Sequence, residues 1–187
     1  MADVLPDDVA TWLGSWFWAP GYDVAREVLQ RGTAAVLVVA FLVVVRQWRP
    51  LLGERGLLPA ATFVARTTWR DAPSVLRWRC SDRFVIALAW GGAGLAALLV
   101  VGVPQRGPWW LTTLAFLVLW AVYLSVVNVG QRFYGFGWES LLCEVTFLVG
   151  WLGSSGEGAP PPLLVLLLAR WCLFRVARGA GLSQRRG

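Results

Sequence analysis

Long uncharged apolar runs alternate with Arg-bearing connections along this chain, and no short amphipathic stripe of the kind a globular core needs organises them. Residues 84–103 and 109–129 carry no charge, and about 20 apolar residues suffice to cross a hydrocarbon core of ~30 Å. Ser81 and Asp82 stand before the first run as N-caps, Pro104 follows its last residue, and Trp109 and Trp110 open the second at the headgroup boundary. Gly91, Gly92, Ala93 and Gly94 let another helix pack closely. Upstream, residues 32–45 are too short to span alone. Extension over residues 24–48 completes the crossing if Arg31 and Arg46 snorkel from its ends. Two further runs, 137–152 and 162–182, contain Glu139 and Glu144 in one and Arg170, Arg175 and Arg178 in the other. The Gly/Ser/Pro-rich segment 153–162 between them fits a hairpin turn.

The expected fold is therefore all-α, a polytopic membrane helix bundle of about five transmembrane helices with interfacial segments. An interfacial segment is expected in residues 1–23, where Trp12, Trp16, Phe17 and Trp18 cluster. The bundle occupies residues 24–182, and residues 183–187 form a short basic tail.

Composition sharpens this picture. Hydrophobic residues make up 57% of the chain and charged ones 15%, against about 25% in a soluble domain. All seventeen basic residues are Arg. With neither His nor Lys, the chain has no Ser-His-Asp triad, imidazole metal ligand, axial haem histidine, Schiff base or phosphate-loop lysine. Cys80, Cys143 and Cys172 are too widely spaced for paired thiol chemistry and read as small apolar filler. No catalytic residue, cofactor or metal site is expected. The net charge of +6 accompanies no nucleic-acid motif, so membrane lipids with anionic headgroups are the expected partners. The acidic first residues lack a signal peptide's basic start, so the N-terminus is expected to be retained. Eight Arg between Arg46 and Arg83 place that connection inside, with the N-terminus outside and the C-terminus inside. Arg in place of Lys is what GC-rich coding yields, which favours a prokaryotic plasma membrane.

The informative constellation is the set of charges within the last two runs. An ionisable group at mid-membrane costs about 2.5–3.5 kcal/mol on insertion scales, so each needs a partner or water. At ~1.5 Å per residue, Glu144 and Arg170 lie ~12 Å from the connector, and Glu139 and Arg175 lie ~20 Å from it. Two rungs of an antiparallel hairpin are thus level. Five residues rotate a helix by roughly 140°, so only one rung faces directly, and Glu144 with Arg170 is the expected contact. Either an ion pair that orders the hairpin or a polar groove for a substrate or partner fits this arrangement.

Three stretches resemble the lipase maturation factor family. Leu29-Gln30-Arg31-Gly32 followed by Arg46-Gln47-Trp48-Arg49-Pro50-Leu51-Leu52-Gly53-Glu54-Arg55-Gly56-Leu57-Leu58-Pro59 looks like its N-terminal signature. Tyr134-Gly135-Phe136-Gly137-Trp138-Glu139-Ser140-Leu141-Leu142-Cys143-Glu144-Val145-Thr146-Phe147-Leu148 is similar to its central motif, and Arg170-Trp171-Cys172-Leu173-Phe174-Arg175 with Gly179-Ala180-Gly181-Leu182 resembles a third. The resemblance implies a multi-span membrane protein that helps secreted lipases fold and assemble, resident in the endoplasmic reticulum membrane in eukaryotic members. It implies a secreted client such as a lipase, and motif roles for Arg49, Pro50, Glu54, Arg55, Gly56, Gly137, Trp138 and Glu139. Members usually continue into a large non-membrane domain, whereas this sequence stops at Gly187, and the family's Lys after the third stretch is replaced by Ser183-Gln184-Arg185-Arg186. Eukaryotic members place the C-terminus in the lumen, opposite to the Arg count.

Pro50 and Pro59 with Gly53 and Gly56 preclude a long helix through the first motif. Leu51, Leu52, Leu57 and Leu58 are therefore expected along the interface, with Glu54 and Arg55 towards headgroups. A non-catalytic maturation factor is the leading function. The alternative is a membrane enzyme acting on a lipid or quinone-like substrate through Glu139 or Glu144, and a transporter lacks the internal repeat it would need.

Overall fold

The computed structural model describes residue 19, residues 21–156 and residues 158–184, the last few from residue 180 as backbone only. The aromatic segment expected at residues 10–18 and the tail residues 185–187 lie outside the described residues. Every regular element described is helical: α1 (Asp23–Leu51), α2 (Ala60–Arg66), α3 (Asp82–Val101), α4 (Trp109–Val129), α5 (Gly137–Gly150) and α6 (Leu163–Gln184), joined by short 3-10 turns.

Three of these, α1, α3 and α4, are long and apolar enough to cross a membrane. Only 33–44% of their most apolar stretches is buried within the protein, so most of that surface faces outward. Val24, Val36, Val39, Leu98, Val101 and Leu114 are among the exposed apolar side chains. Such a surface is stable in hydrocarbon, where backbone groups are satisfied within each helix. α5, with 14 residues, rises only ~21 Å, and α6, with 22, rises ~33 Å while carrying three arginines.

Packing follows the distribution of small and large side chains. One stripe of α1 (Arg26, Gln30, Thr33, Ala34, Leu37, Phe41, Val44, Trp48) is buried, at the helical spacing of three and four residues. It meets the stripe Val85, Ala89, Gly92, Ala93, Ala96 and Leu99 of α3 in the most extensive helix contact of the fold. Gly92 is the point of closest approach: a Cβ there would sit 2.8 Å from the ring of Phe41. Gly91 and Gly94, from the same run, face open space. Phe41 also meets Tyr123 of α4 edge to face at 5.5 Å, which ties the third helix to the pair. α5 packs on α4 and α1, and α6 packs chiefly on α5 at the edge.

The Arg-rich connection between α1 and α3 is a folded cap. Arg77 donates to the carbonyls of Val64, Thr67, Thr68 and Ala72 and to the Thr67 hydroxyl at 2.6–3.2 Å, gathering the connection around one guanidinium. Ser74 and Val75 dock this cap on α4 through Ser125, at 3.1 and 2.9 Å.

Pro50 lies in the last turn of α1, where it has no N–H to offer the Arg46 carbonyl, and the helix ends at the next residue, Leu51. Two expectations are corrected here. Leu52, expected at the interface, is 1% exposed, because the chain folds back after Gly53 and returns the Leu57 and Leu58 amides to the carbonyls of Pro50 and Leu51 at 3.2 and 2.9 Å. The connector between α5 and α6 is also more than a hairpin turn. It is bound to the 105–107 turn by Ser154, which donates to the carbonyls of Gln105 and Gly107, and by the Gly156 amide on Gln105 O at 3.0 Å.

Candidate functional site

The first motif and the start of α3 form one hydrogen-bonded corner. The last turn of α1 brings Trp48 inward, and its indole Nε1 donates to Asp82 Oδ1 at 3.2 Å. The same oxygen accepts from the Glu54 amide at 3.1 Å, and Glu54 Oε1 accepts from the Asp82 amide at 3.4 Å. Asp82 also sits in the first turn of α3, where a carboxylate complements the helix dipole. Gly53 and Gly56 permit the turn: a Cβ would fall 2.6 Å from the Arg49 carbonyl in one case and 2.9 Å from the Leu51 carbonyl in the other. Arg49 and Arg55 are exposed, and Arg49 and Glu54 border an open cleft. Cys80 lies beside this corner. Burial, then the carboxylates of Asp82 and Glu54, raises its thiol above the ordinary range.

The second motif forms the corner between α4 and α5. Phe136 and Trp138 stack at 4.6 Å with nearly parallel rings, both exposed, as boundary anchors around Gly137. Glu139, in the first turn of α5, accepts the hydrogen bond of the Tyr123 hydroxyl from α4. Tyr134 is 5% exposed, and its hydroxyl finds no partner among the described residues. Burial, then the Glu139 carboxylate, pushes Tyr134 up to about 12. Tyr123, Tyr134, Trp138 and Glu139 line a cavity of about 350 Å³ whose other wall is α1 at Val36 and Val39.

Glu144 pairs with Arg175, not with the expected Arg170. The depth count assumed a tight hairpin, whereas the connector is docked on the 105–107 turn before α6 begins at Leu163. Arg170 borders an apolar groove of about 390 Å³ between α1, α5 and α6, beside Leu141, Val145 and Leu166. Glu139 is thus joined to Tyr123 where Arg175 had been expected as its level partner.

Sequence reasoning passed over Arg26 and Gln30. Both are buried on α1, and they hold the α5–α6 connector by donating to the Ala159 carbonyl at 2.7 Å and the Gly153 carbonyl at 2.8 Å. The signal was present: the two sit four apart on the otherwise apolar stripe, and Gln30 belongs to the first motif.

An all-helical bundle with outward apolar surface, cornered by Trp- and Gly-rich turns and carrying charges within its helices, defines a polytopic membrane domain. Residues 24–187 match the model of the lipase maturation factor transmembrane domain, and the chain belongs to that family. Lipase maturation factor 1 of Bos taurus is 35% identical over 191 residues, covering 91% of this chain and 32% of that protein. The Homo sapiens protein of the same name is 34% identical with the same coverage, and Lipase maturation factor 2 of Homo sapiens is 31% identical over 86% of this chain and 26% of its own length. The chain thus spans about a third or less of these relatives. No solved structure matches.

Proposed function

We propose that this membrane domain belongs to a non-catalytic factor that assists folding or maturation of secreted enzymes such as lipases. The relatives' names supply the class. The observation that carries the reading is the use of the motif side chains: Trp48 and Glu54 bond to Asp82 at the start of α3, Glu139 bonds to Tyr123, and together they hold corners of the bundle. A domain built this way anchors and orients rather than reacts. Co-expression with a secreted lipase tests it. A higher specific activity of the secreted enzyme, unchanged by Glu139→Gln at equal domain abundance, is the expected result. Unchanged lipase activity with and without the protein overturns it.

A second reading, a membrane enzyme using Glu139 on a lipid or quinone-like substrate, is favoured by the Glu139 cavity and the unpartnered Tyr134 hydroxyl that lines it. It predicts that Glu139→Gln abolishes activity with abundance and melting unchanged. The Arg-for-Lys usage supports a prokaryotic plasma membrane as the location, which fractionation of the source cells would check.

A further inference from the structure

The corner between α1 and α3 opens on a cleft of about 640 Å³ lined by Arg49, Glu54, Arg79, Ser81, Asp82 and Arg83. Three arginines from three places in the chain line it: Arg49 in the last turn of α1, Arg79 in the segment before α3, and Arg83 in the first turn of α3. Two carboxylates share the lining, yet neither is paired with an arginine. Asp82 Oδ1 is occupied by Trp48 and the Glu54 amide, and Glu54 Oε1 by the Asp82 amide. Among the described residues, Arg49, Arg79 and Arg83 have no side-chain ion-pair or hydrogen-bond partner, a property they share with other exposed arginines such as Arg66, Arg70 and Arg132; what sets them apart is that three of them line one cleft. One oxygen of each carboxylate is thus engaged by the corner itself, and three arginines against two carboxylates leave the cleft with a net positive lining.

The depth of the cleft narrows the choice. It lies where α1 ends and α3 begins, so Phe84 and Val85 start the apolar span directly beneath it. A guanidinium offers a planar fork of donors that matches a phosphate better than an ammonium does. Anionic lipid surfaces attract each such charge, at a depth where these arginines stand in headgroups.

We propose that this cleft binds the phosphate of an anionic membrane lipid headgroup through Arg49, Arg79 and Arg83, with the Asp82–Glu54 corner holding the three in place. The site couples the first motif to the bilayer surface: the turn from Arg49 to Pro59 is the floor of a lipid-phosphate cradle.

The test uses the full chain purified in mild detergent and titrated with phosphatidylglycerol, followed by native mass spectrometry and thermal unfolding, with phosphatidylcholine and inorganic phosphate in parallel. Saturable binding of phosphatidylglycerol with a raised melting temperature is expected, weakened at least roughly tenfold in R49Q/R79Q/R83Q. R66Q/R70Q/R132Q removes equal charge outside the cleft and outside the Arg49–Pro59 turn, and is expected to keep most of the affinity. Equal loss in both triple variants, or equal binding of phosphatidylcholine and phosphatidylglycerol, overturns the proposal. Stabilisation of the wild type by inorganic phosphate without any response to phosphatidylglycerol overturns the lipid assignment in favour of a soluble phosphate. If the triple variant melts lower without ligand, R79Q alone decides, since Arg79 lies outside the helices: its affinity falls under the proposal and is unchanged if the proposal is wrong.

Discussion

On one side of the bundle α1 and α3 meet over small residues, with Gly92 against the Phe41 ring, and their ends are latched by Trp48, Glu54 and Asp82. On the other, α6 touches chiefly α5. It buries Leu166 and Cys172 while leaving Leu164, Trp171, Leu173 and Phe174 exposed, and its ion pair with Glu144 joins two side chains 53% and 43% exposed. Both halves leave large apolar side chains exposed, so exposure by itself does not distinguish them. Close packing does. In hydrocarbon there is little hydrophobic drive between helices, and association rests on van der Waals fit and a few polar bonds. The first half has both, and the second has a polar bond with little fit. α6 is therefore the less closely packed element, while α1 and α3 form the most extensive helix contact.

The largest effect that would break this contrast is at the core. Phe41→Ala should destabilise by about 3–5 kcal/mol, and Phe174→Ala by less than about 0.5 kcal/mol, in denaturant unfolding from detergent. Similar losses at both sites would erase the distinction. Next comes Gly92→Val, expected to cost about 1–3 kcal/mol by overpacking against Phe41, while Gly94→Val, facing open space, should be nearly silent in the same assay.

A double-mutant cycle on Glu144 and Arg175 should return about 0.6 kcal/mol, modest because the separated groups find other polar partners in the membrane, and a cycle on Glu144 and Arg170 should return none. Coupling to Arg170 would restore the tight hairpin. The smallest effect is chemical. With its pKa raised by burial and by Asp82 and Glu54, the Cys80 thiol stays protonated at pH values where a free thiol ionises, so its alkylation should begin only at higher pH. Asp82→Asn removes one negative neighbour and should move the onset to lower pH, as read by mass spectrometry of the modified peptide.

Much of this was legible before any coordinates. The uncharged runs at 84–103 and 109–129 announce helices because nothing else satisfies a backbone in hydrocarbon. The Gly- and Trp-rich motifs announce corners, since only small residues and boundary aromatics serve there. Partner choice was not legible. Depth along a hairpin can be counted, but the count assumes a tight turn, and segment 151–162 is held elsewhere by Gln30, Arg26 and the 105–107 turn. Asp82 illustrates the same limit: its cap position is local and readable, whereas its bonds to Trp48 and Glu54 cross from the other end of a 30-residue connection.

Sequence alone therefore determined that this is an all-helical membrane domain with charged corners, because hydrophobicity and backbone hydrogen bonding are properties of each segment by itself. Tertiary structure alone decided that Glu144 meets Arg175, that Glu139 meets Tyr123, and that three arginines share one cleft beside the Asp82–Glu54 corner. Those pairings depend on the offset between helices, which is set by how distant loops dock and not by any spacing within a single run.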